Sequence, residues 1–118
     1  MRRGLGITLS RLERWDEAEA VLTEALEASE AEGEPGTMAV VTTLGQLGQV
    51  YAAQGRPDEA VAAVDRAVAL AERRLVGQAA HDSALRNRAT VRRRLGDEEG
   101  ADADAAAAER IRSARGGS

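Results

Sequence analysis

One helical pattern recurs at a fixed spacing along the chain, and this repetition limits the possible folds more than any other feature. The pattern is ERWDEAEAVLTEALEA (13–28), GRPDEAVAAVDRAVAL (55–70) and, more loosely, GDEEGADADAAAAERI (96–111). Aligning the small residues Ala18, Ala60 and Ala101 gives offsets of 42 and 41 residues. Repetition of one unit at this spacing predicts a stack of similar units, in which each unit buries the apolar face of its neighbour.

Each unit consists of amphipathic helices. Apolar residues recur three and four positions apart, as in Ala60, Val64, Ala67 and Val68, and no segment alternates long enough to predict a strand. Glycine and proline separate these stripes, for example in EGEPGT at 32–37. The pattern predicts six helices, at 3–12, 15–32, 37–54, 57–76, 79–95 and 97–113.

The predicted core contains small aliphatic side chains. Hydrophobic residues make up 43% of the sequence, yet there is no Phe, one Trp and one Tyr. Such a composition favours close helix packing over a sheet. The residues expected between helices are Leu22, Leu26, Leu44, Leu47, Val64 and Val68.

The second unit carries a recognisable order of residues. In LGQVYAAQGRPDEAVAAVDRAVAL (47–70), Leu-Gly is followed by an aromatic residue, a turn glycine and Glu-Ala. This order resembles the tetratricopeptide repeat. The first unit has the same order at Leu5, Gly6 and Glu17-Ala18, and the third resembles a bacterial variant with Asn-Arg-Ala and Leu-Gly-Asp.

The resemblance implies an all-α fold, a right-handed α-solenoid of three helix-turn-helix repeats. The repeats would span about 1–33, 34–76 and 77–113 of a single domain, 1–118, with a flexible tail at 114–118. The period exceeds the usual period of about 34 residues by roughly two helical turns. In this respect the chain resembles the longer repeats of kinesin light chains and of actinobacterial regulatory proteins.

Several kinds of catalytic site are excluded by residue types. There is no Cys and one His, which excludes thiolate and multi-histidine metal sites. There is no Lys, which excludes a Walker A loop or a Schiff-base lysine. His81, Asp82 and Ser83 are consecutive at the start of a helix, so their side chains point in different directions. We therefore expect no enzymatic activity, no cofactor and no metal.

The net charge of −4 argues against a partner that is nucleic acid or an anionic membrane, because such binding depends on neutralising phosphates. No apolar run approaches the roughly 18 residues of a membrane span. These features predict a cytoplasmic protein. Charge is nevertheless uneven, since residues 13–34 hold nine acidic residues and one Arg, whereas residues 86–94 hold five Arg and no acidic residue.

The predicted function is the binding of a protein or peptide by the concave face, which the first helix of each repeat lines. The module would be able to form part of a larger regulator. Arginines at both ends of this face match an acidic or extended peptide. The predicted partner-binding residues are Arg11, Thr42, Gln49, Arg86, Thr90, Arg93 and Arg94.

Two expectations concern other parts of the chain. Nothing precedes helix 3–12 to cover Ile7, so the alternative function is self-assembly, with a homodimer formed through that helix. Arg88 and Arg92 occupy columns that hold Leu47 and Tyr51 in the second unit. Their stems are expected to pack while their guanidinium groups reach Asp97, Asp102 or Asp104.

Overall fold

The computed structural model describes residues 14–116, which form five α-helices and contain no β-strand. The helices are α1 (Trp15–Ala31), α2 (Thr37–Ala53), α3 (Pro57–Arg74), α4 (Ala79–Arg94) and α5 (Glu98–Gly116), with a short 3₁₀ helix at Glu34–Gly36. They match five of the six predicted helices to within three residues at each end. The predicted helix 3–12 lies outside the described residues. Helix α5 includes residues 114–116 of the predicted tail.

The five helices form two layers. Helix α2 packs against α1, α3 and α4, and α4 packs against α2, α3 and α5. Among the described helices, α1, α3 and α5 do not approach one another's backbones. Helices α2 and α4 therefore form an inner layer, and α1, α3 and α5 form an outer layer. The predicted all-α, right-handed solenoid is confirmed.

The turn before each outer helix is the same in the three units. In each, the backbone N–H of a fully buried alanine donates to a carbonyl four residues earlier, at 3.0 Å. The donor and acceptor pairs are Ala18 with Arg14, Ala60 with Arg56, and Ala101 with Asp97. This repeated bond confirms the alignment with offsets of 42 and 41 residues.

The turns after α2 and α4 also correspond. Gly55 and Gly96 have φ angles of 76° and 92°, a backbone region that favours glycine. The next N–H then donates back into the preceding helix, from Arg56 to the Tyr51 carbonyl at 2.9 Å, and from Asp97 to the Arg92 carbonyl at 2.8 Å. These bonds close both helices and start the antiparallel return.

The core lies between the layers and agrees with the prediction at five of six positions. Leu22, Leu44, Leu47, Val64 and Val68 are buried, and Leu26 is half-buried. Helices α2 and α3 approach closely at Gly48, where a Cβ would overlap Cγ1 of Val64 and lie 3.2 Å from the Ala60 carbonyl oxygen. Small residues thus let a core without Phe pack tightly.

Candidate functional site in the inner layer

Two amide side chains join the helices of the inner layer. Nε2 of Gln49 in α2 donates to Oδ1 of Asn87 in α4 at 2.9 Å. Gly45, one turn before Gln49, is buried, and a Cβ at this position would overlap the amide nitrogen of Asn87. The other two polar atoms of the pair, Oε1 of Gln49 and Nδ2 of Asn87, make no hydrogen bond within residues 14–116. The pair can therefore both accept from and donate to a ligand.

Four of the predicted site residues fall by the helical period on corresponding faces of α2 and α4, and none of the four is buried, so we call this face the open side of the layer. They are Thr42, Gln49, Thr90 and Arg94, and Gln49 and Thr90 are equivalent positions, 41 residues apart. The hydroxyls of Thr42 and Thr90 donate to carbonyls within their own helices, those of Met38 at 3.0 Å and Arg86 at 3.1 Å. Each hydroxyl oxygen remains able to accept a hydrogen bond.

Arg86 and Arg93 lie on a different side of α4. Their equivalents in α2, 41 residues earlier, are Gly45 and Ala52. Both equivalents are buried beneath α4, Gly45 against Asn87 and Ala52 in the cluster that contains Val91. Arg86 and Arg93 therefore lie on the face of α4 that corresponds to the α4-covered face of α2, where a following helix pair would pack.

Local ion pairs hold these two arginines. Nε of Arg86 lies 2.9 Å from Asp82, and Arg93 lies 3.0 Å from Glu98 and 2.6 Å from Asp102. The hydrogen bond with Glu98 raises the pKa of Arg93. The structure thus divides the predicted residues into two groups. Thr42, Gln49, Thr90 and Arg94 lie on the open side of the inner layer, and Arg86 and Arg93 lie on a different face of α4. Arg11 lies outside the described residues.

The consecutive residues His81 and Asp82 bind different partners. Nδ1 of His81 accepts the backbone N–H of Gly77 at 3.1 Å, whereas Asp82 pairs with Arg86. They are not arranged as a catalytic pair. Within residues 14–116, no group of three or more His, Asp or Glu side chains is placed to hold a metal ion. None of the described helices is long and apolar enough to cross a membrane.

Arg88 and Arg92 reach Asp104, one of the three predicted carboxylates, and share it. Asp104 of α5 lies 2.9 Å from Nη2 of Arg88 and 2.9 Å from Nη1 of Arg92. Burial lowers the pKa of Arg88, but the hydrogen bond and charge of Asp104 outweigh it, and the net pKa is raised. Arg92 also approaches Asp97, at 3.9 Å, while Asp102 pairs with Arg93 instead. We call Arg88, Arg92 and Asp104 the ionic triad.

A second charged cluster surrounds Arg56, at the turn between α2 and α3. Its guanidinium lies 2.6 Å from Glu59 and 2.7 Å from Glu19, and its Cζ lies 4.6 Å from the centroid of the Tyr51 ring. The hydrogen bonds with Glu59 and Glu19 raise the pKa of Arg56, and that with Arg56 lowers the pKa of Glu59. Burial and the Glu19 charge raise the pKa of Tyr51. Glu19 of α1 is thus tied to the next repeat.

Comparison with known proteins agrees with this repeated geometry. Residues 1–73 match a family described as the tetratricopeptide repeat, and this match covers more than half of the chain. The chain belongs to the tetratricopeptide repeat family. Among curated protein sequences, none matches the chain.

The tetratricopeptide repeats of this chain are similar to a solved structure titled BtubC (BKLC) from P. vanneervenii. The two share 27% sequence identity with a TM-score of 0.77. The similarity covers 99% of this chain and 47% of BtubC, so the chain spans about half of that protein. The tetratricopeptide repeat is a protein-interaction scaffold and not an enzyme fold, which agrees with the predicted class of function.

Asn87 is a residue of the tetratricopeptide inner layer that the sequence prediction missed. The sequence pattern includes it in the Asn-Arg-Ala variant and predicts no binding role for it. The spacing to Gln49 is 38 residues, whereas the repeat offset is 41, so no alignment of equivalent columns pairs them. Only the packing of α4 against α2 brings the two amides together.

Proposed function

We propose that this chain is a protein- or peptide-binding module, in a cytoplasmic and non-enzymatic protein, and that the open side of the inner layer is the binding site. The Gln49–Asn87 amide pair is the observation that supports this site most directly. It offers one acceptor and one donor at the junction of two repeats, which matches the N–H and C=O of an extended peptide backbone.

Charge supports an acidic ligand at one end of this surface. Arg94 is exposed, and among the described residues it makes no ion pair. It lies one turn beyond Thr90, on the same side of α4. A guanidinium in this position can bind a carboxylate in two parallel hydrogen bonds. Thr42 and Gln49 would then contact the remainder of the peptide along α2.

The experiment is selection of extended peptides from a displayed library on the intact chain, followed by affinity measurement on variants. Asn87→Ala should weaken the binding of the selected peptides by about tenfold, since it removes one of the two amide groups at the centre of the site. Arg94→Glu should lower the affinity for acidic peptides more than the affinity for neutral peptides. Arg110→Glu, on α5, is the control and should leave binding unchanged.

If the selected peptides bind Asn87→Ala and Arg94→Glu as tightly as the original chain, the site is not on the inner layer. Self-assembly through helix 3–12 remains a separate prediction, because that helix lies outside the described residues. Equilibrium sedimentation addresses it, and a monomer at all concentrations would exclude it.

A further inference from the structure

The ionic triad stands where the preceding repeat has apolar residues. Arg88, Arg92 and Asp104 follow Leu47, Tyr51 and Ala63 by 41 residues each. The side chain of Asp104 is 4% exposed, and those of Arg88 and Arg92 are 19% and 29% exposed. A buried ion cluster seldom stabilises a protein more than well-packed apolar residues do. Because the second repeat forms the same helix pair with no charged residue at these three positions, the fold does not require the triad.

The triad borders an open groove on the outer surface. The backbones of α3 and α5 do not approach each other, and between these helices lies a cavity of about 570 Å³ with α4 as its floor. Leu85, Ala107 and Ile111 give it an apolar lining, and Arg88 and Arg92 line it as well. Val76, beside the cavity-lining Gly77, is 69% exposed. We call this cavity the outer groove.

The equivalent groove between α1 and α3 is bridged by the chain itself. There, Arg66 of α3 forms an ion pair with Glu30 of α1. The equivalents of these residues are Ala107 and Glu72, at offsets of 41 and 42 residues. Since Ala107 cannot reach across, Glu72 makes no ion pair within residues 14–116. An ion pair therefore bridges one groove, and within residues 14–116 none bridges the other.

The two rims of the outer groove carry opposite charges. Glu72 lies on the α3 rim and Arg110 on the α5 rim, and within the described residues Arg110 makes no ion pair either. Nη2 of Arg92 makes no hydrogen bond within the same residues. An occupant with an acidic side towards Arg110 and Arg92, and a basic side towards Glu72, would complement these groups.

The walls of the groove also limit the secondary structure of the occupant. Both walls are helices whose backbone groups bond internally, so they offer no partners to an extended strand. A helix satisfies its own backbone and can place an apolar stripe in a groove. We propose that the outer groove binds an amphipathic helix of a partner protein, with an apolar stripe flanked by acidic residues on one side and basic residues on the other.

The outer groove is distinct from the open side of the inner layer, so the two proposals can fail independently. Four synthetic helical peptides with one leucine stripe are the probes, and their two flanks are Glu and Lys, Glu and Glu, Lys and Lys, or Gln and Gln. Binding to the isotope-labelled intact chain is measured by titration in NMR spectra. The Glu and Lys peptide should bind about tenfold more tightly than the Gln peptide, and should shift signals of 103–114.

Charge-changing variants test the rims without depending on the direction in which the peptide lies. Arg110→Glu should make the Lys and Lys peptide the tightest binder, and Glu72→Arg should favour the Glu and Glu peptide. Ile111→Asp should weaken every peptide by at least about tenfold, because it places a charge in the apolar lining. Glu27→Arg, at an exposed position of α1 outside both surfaces, is the control and should leave these affinities unchanged.

Several results would overturn the proposal. These are equal affinity for all four peptides, absence of binding, or shifts confined to the inner side of α2 and α4. Self-association of the chain that Ile111→Asp abolishes would make a second copy the occupant, and would also overturn it. Circular dichroism of each variant establishes that it is folded.

Discussion

Asn87 occupies the space beside Gly45 that a side chain at position 45 would need, and it accepts a hydrogen bond from Gln49 one turn further along α2. The absence of a Cβ at Gly45 therefore does more than let helices pack closely. It leaves room for the Asn87 amide, which joins the two repeats. The small residue and the amide pair depend on each other, and this dependence can be measured.

Gly45→Ala should destabilise the chain by about 1–3 kcal/mol through overpacking against Asn87, less the gain of up to about 1 kcal/mol in helix propensity. In an Asn87→Ala background the overlap is gone, and the same substitution should be neutral or stabilising. Urea unfolding of the four proteins in this cycle measures the coupling. Additive effects would contradict the contact.

Leu47→Ala should lower the free energy of unfolding by about 2–5 kcal/mol, because Leu47 is buried between α1 and α2 and its loss leaves a cavity. Val61→Ala is the matched control, since Val61 is 39% exposed, and its effect should be well below that of Leu47→Ala. Thermal unfolding followed by circular dichroism is sufficient. An unchanged midpoint for Leu47→Ala would show that the packing register is wrong.

Asp104→Ala should cost about 3 kcal/mol, because it leaves two partly buried guanidinium groups without their shared carboxylate. Combining it with Arg88→Leu and Arg92→Tyr reproduces the residues of the second repeat. The triple variant should be at least as stable as the original chain. If it is no more stable than Asp104→Ala alone, the third helix pair needs its ions to fold.

Tyr51 is the single tyrosine, so its phenolate absorbance reports on one site. Its pKa should lie above the value of 10.0 expected for an exposed tyrosine, because burial and the Glu19 charge disfavour the phenolate. A raised pKa in the folded state contributes stability that is complete below pH 10 and is lost as the pH rises through the folded value. Spectrophotometric titration of the folded and urea-unfolded chain measures both values.

Glu19→Gln should lower the pKa of Tyr51, since it removes a negative charge, while burial keeps it above 10.0. An unchanged pKa in this variant would remove Glu19 as a cause. A folded-state value equal to the unfolded one would contradict both causes together.

The sequence was sufficient to predict the repeats and five helices because their signals are local. The spacing of Ala18, Ala60 and Ala101 and the glycine turns each depend on a few neighbouring residues. The division of the predicted site could not be found in the same way. The helical period places Arg86, Thr90 and Arg93 on neighbouring parts of the surface of α4. Which of these parts faces a following repeat becomes clear only from the packing of α4 on Gly45 and Ala52.

The one-sided bridging of the outer layer has a mechanical consequence. The ion pair of Arg66 with Glu30 ties α3 to α1 in the outer layer, whereas within residues 14–116 no ion pair ties α3 to α5, and Asp65 of α3 instead lies 3.4 Å from Arg88 of α4. The angle between α3 and α5 should therefore change more easily than the angle between α1 and α3. Because the curvature of a solenoid accumulates from small rotations between units, whatever fills this joint would set the angle at which the last helix pair is held.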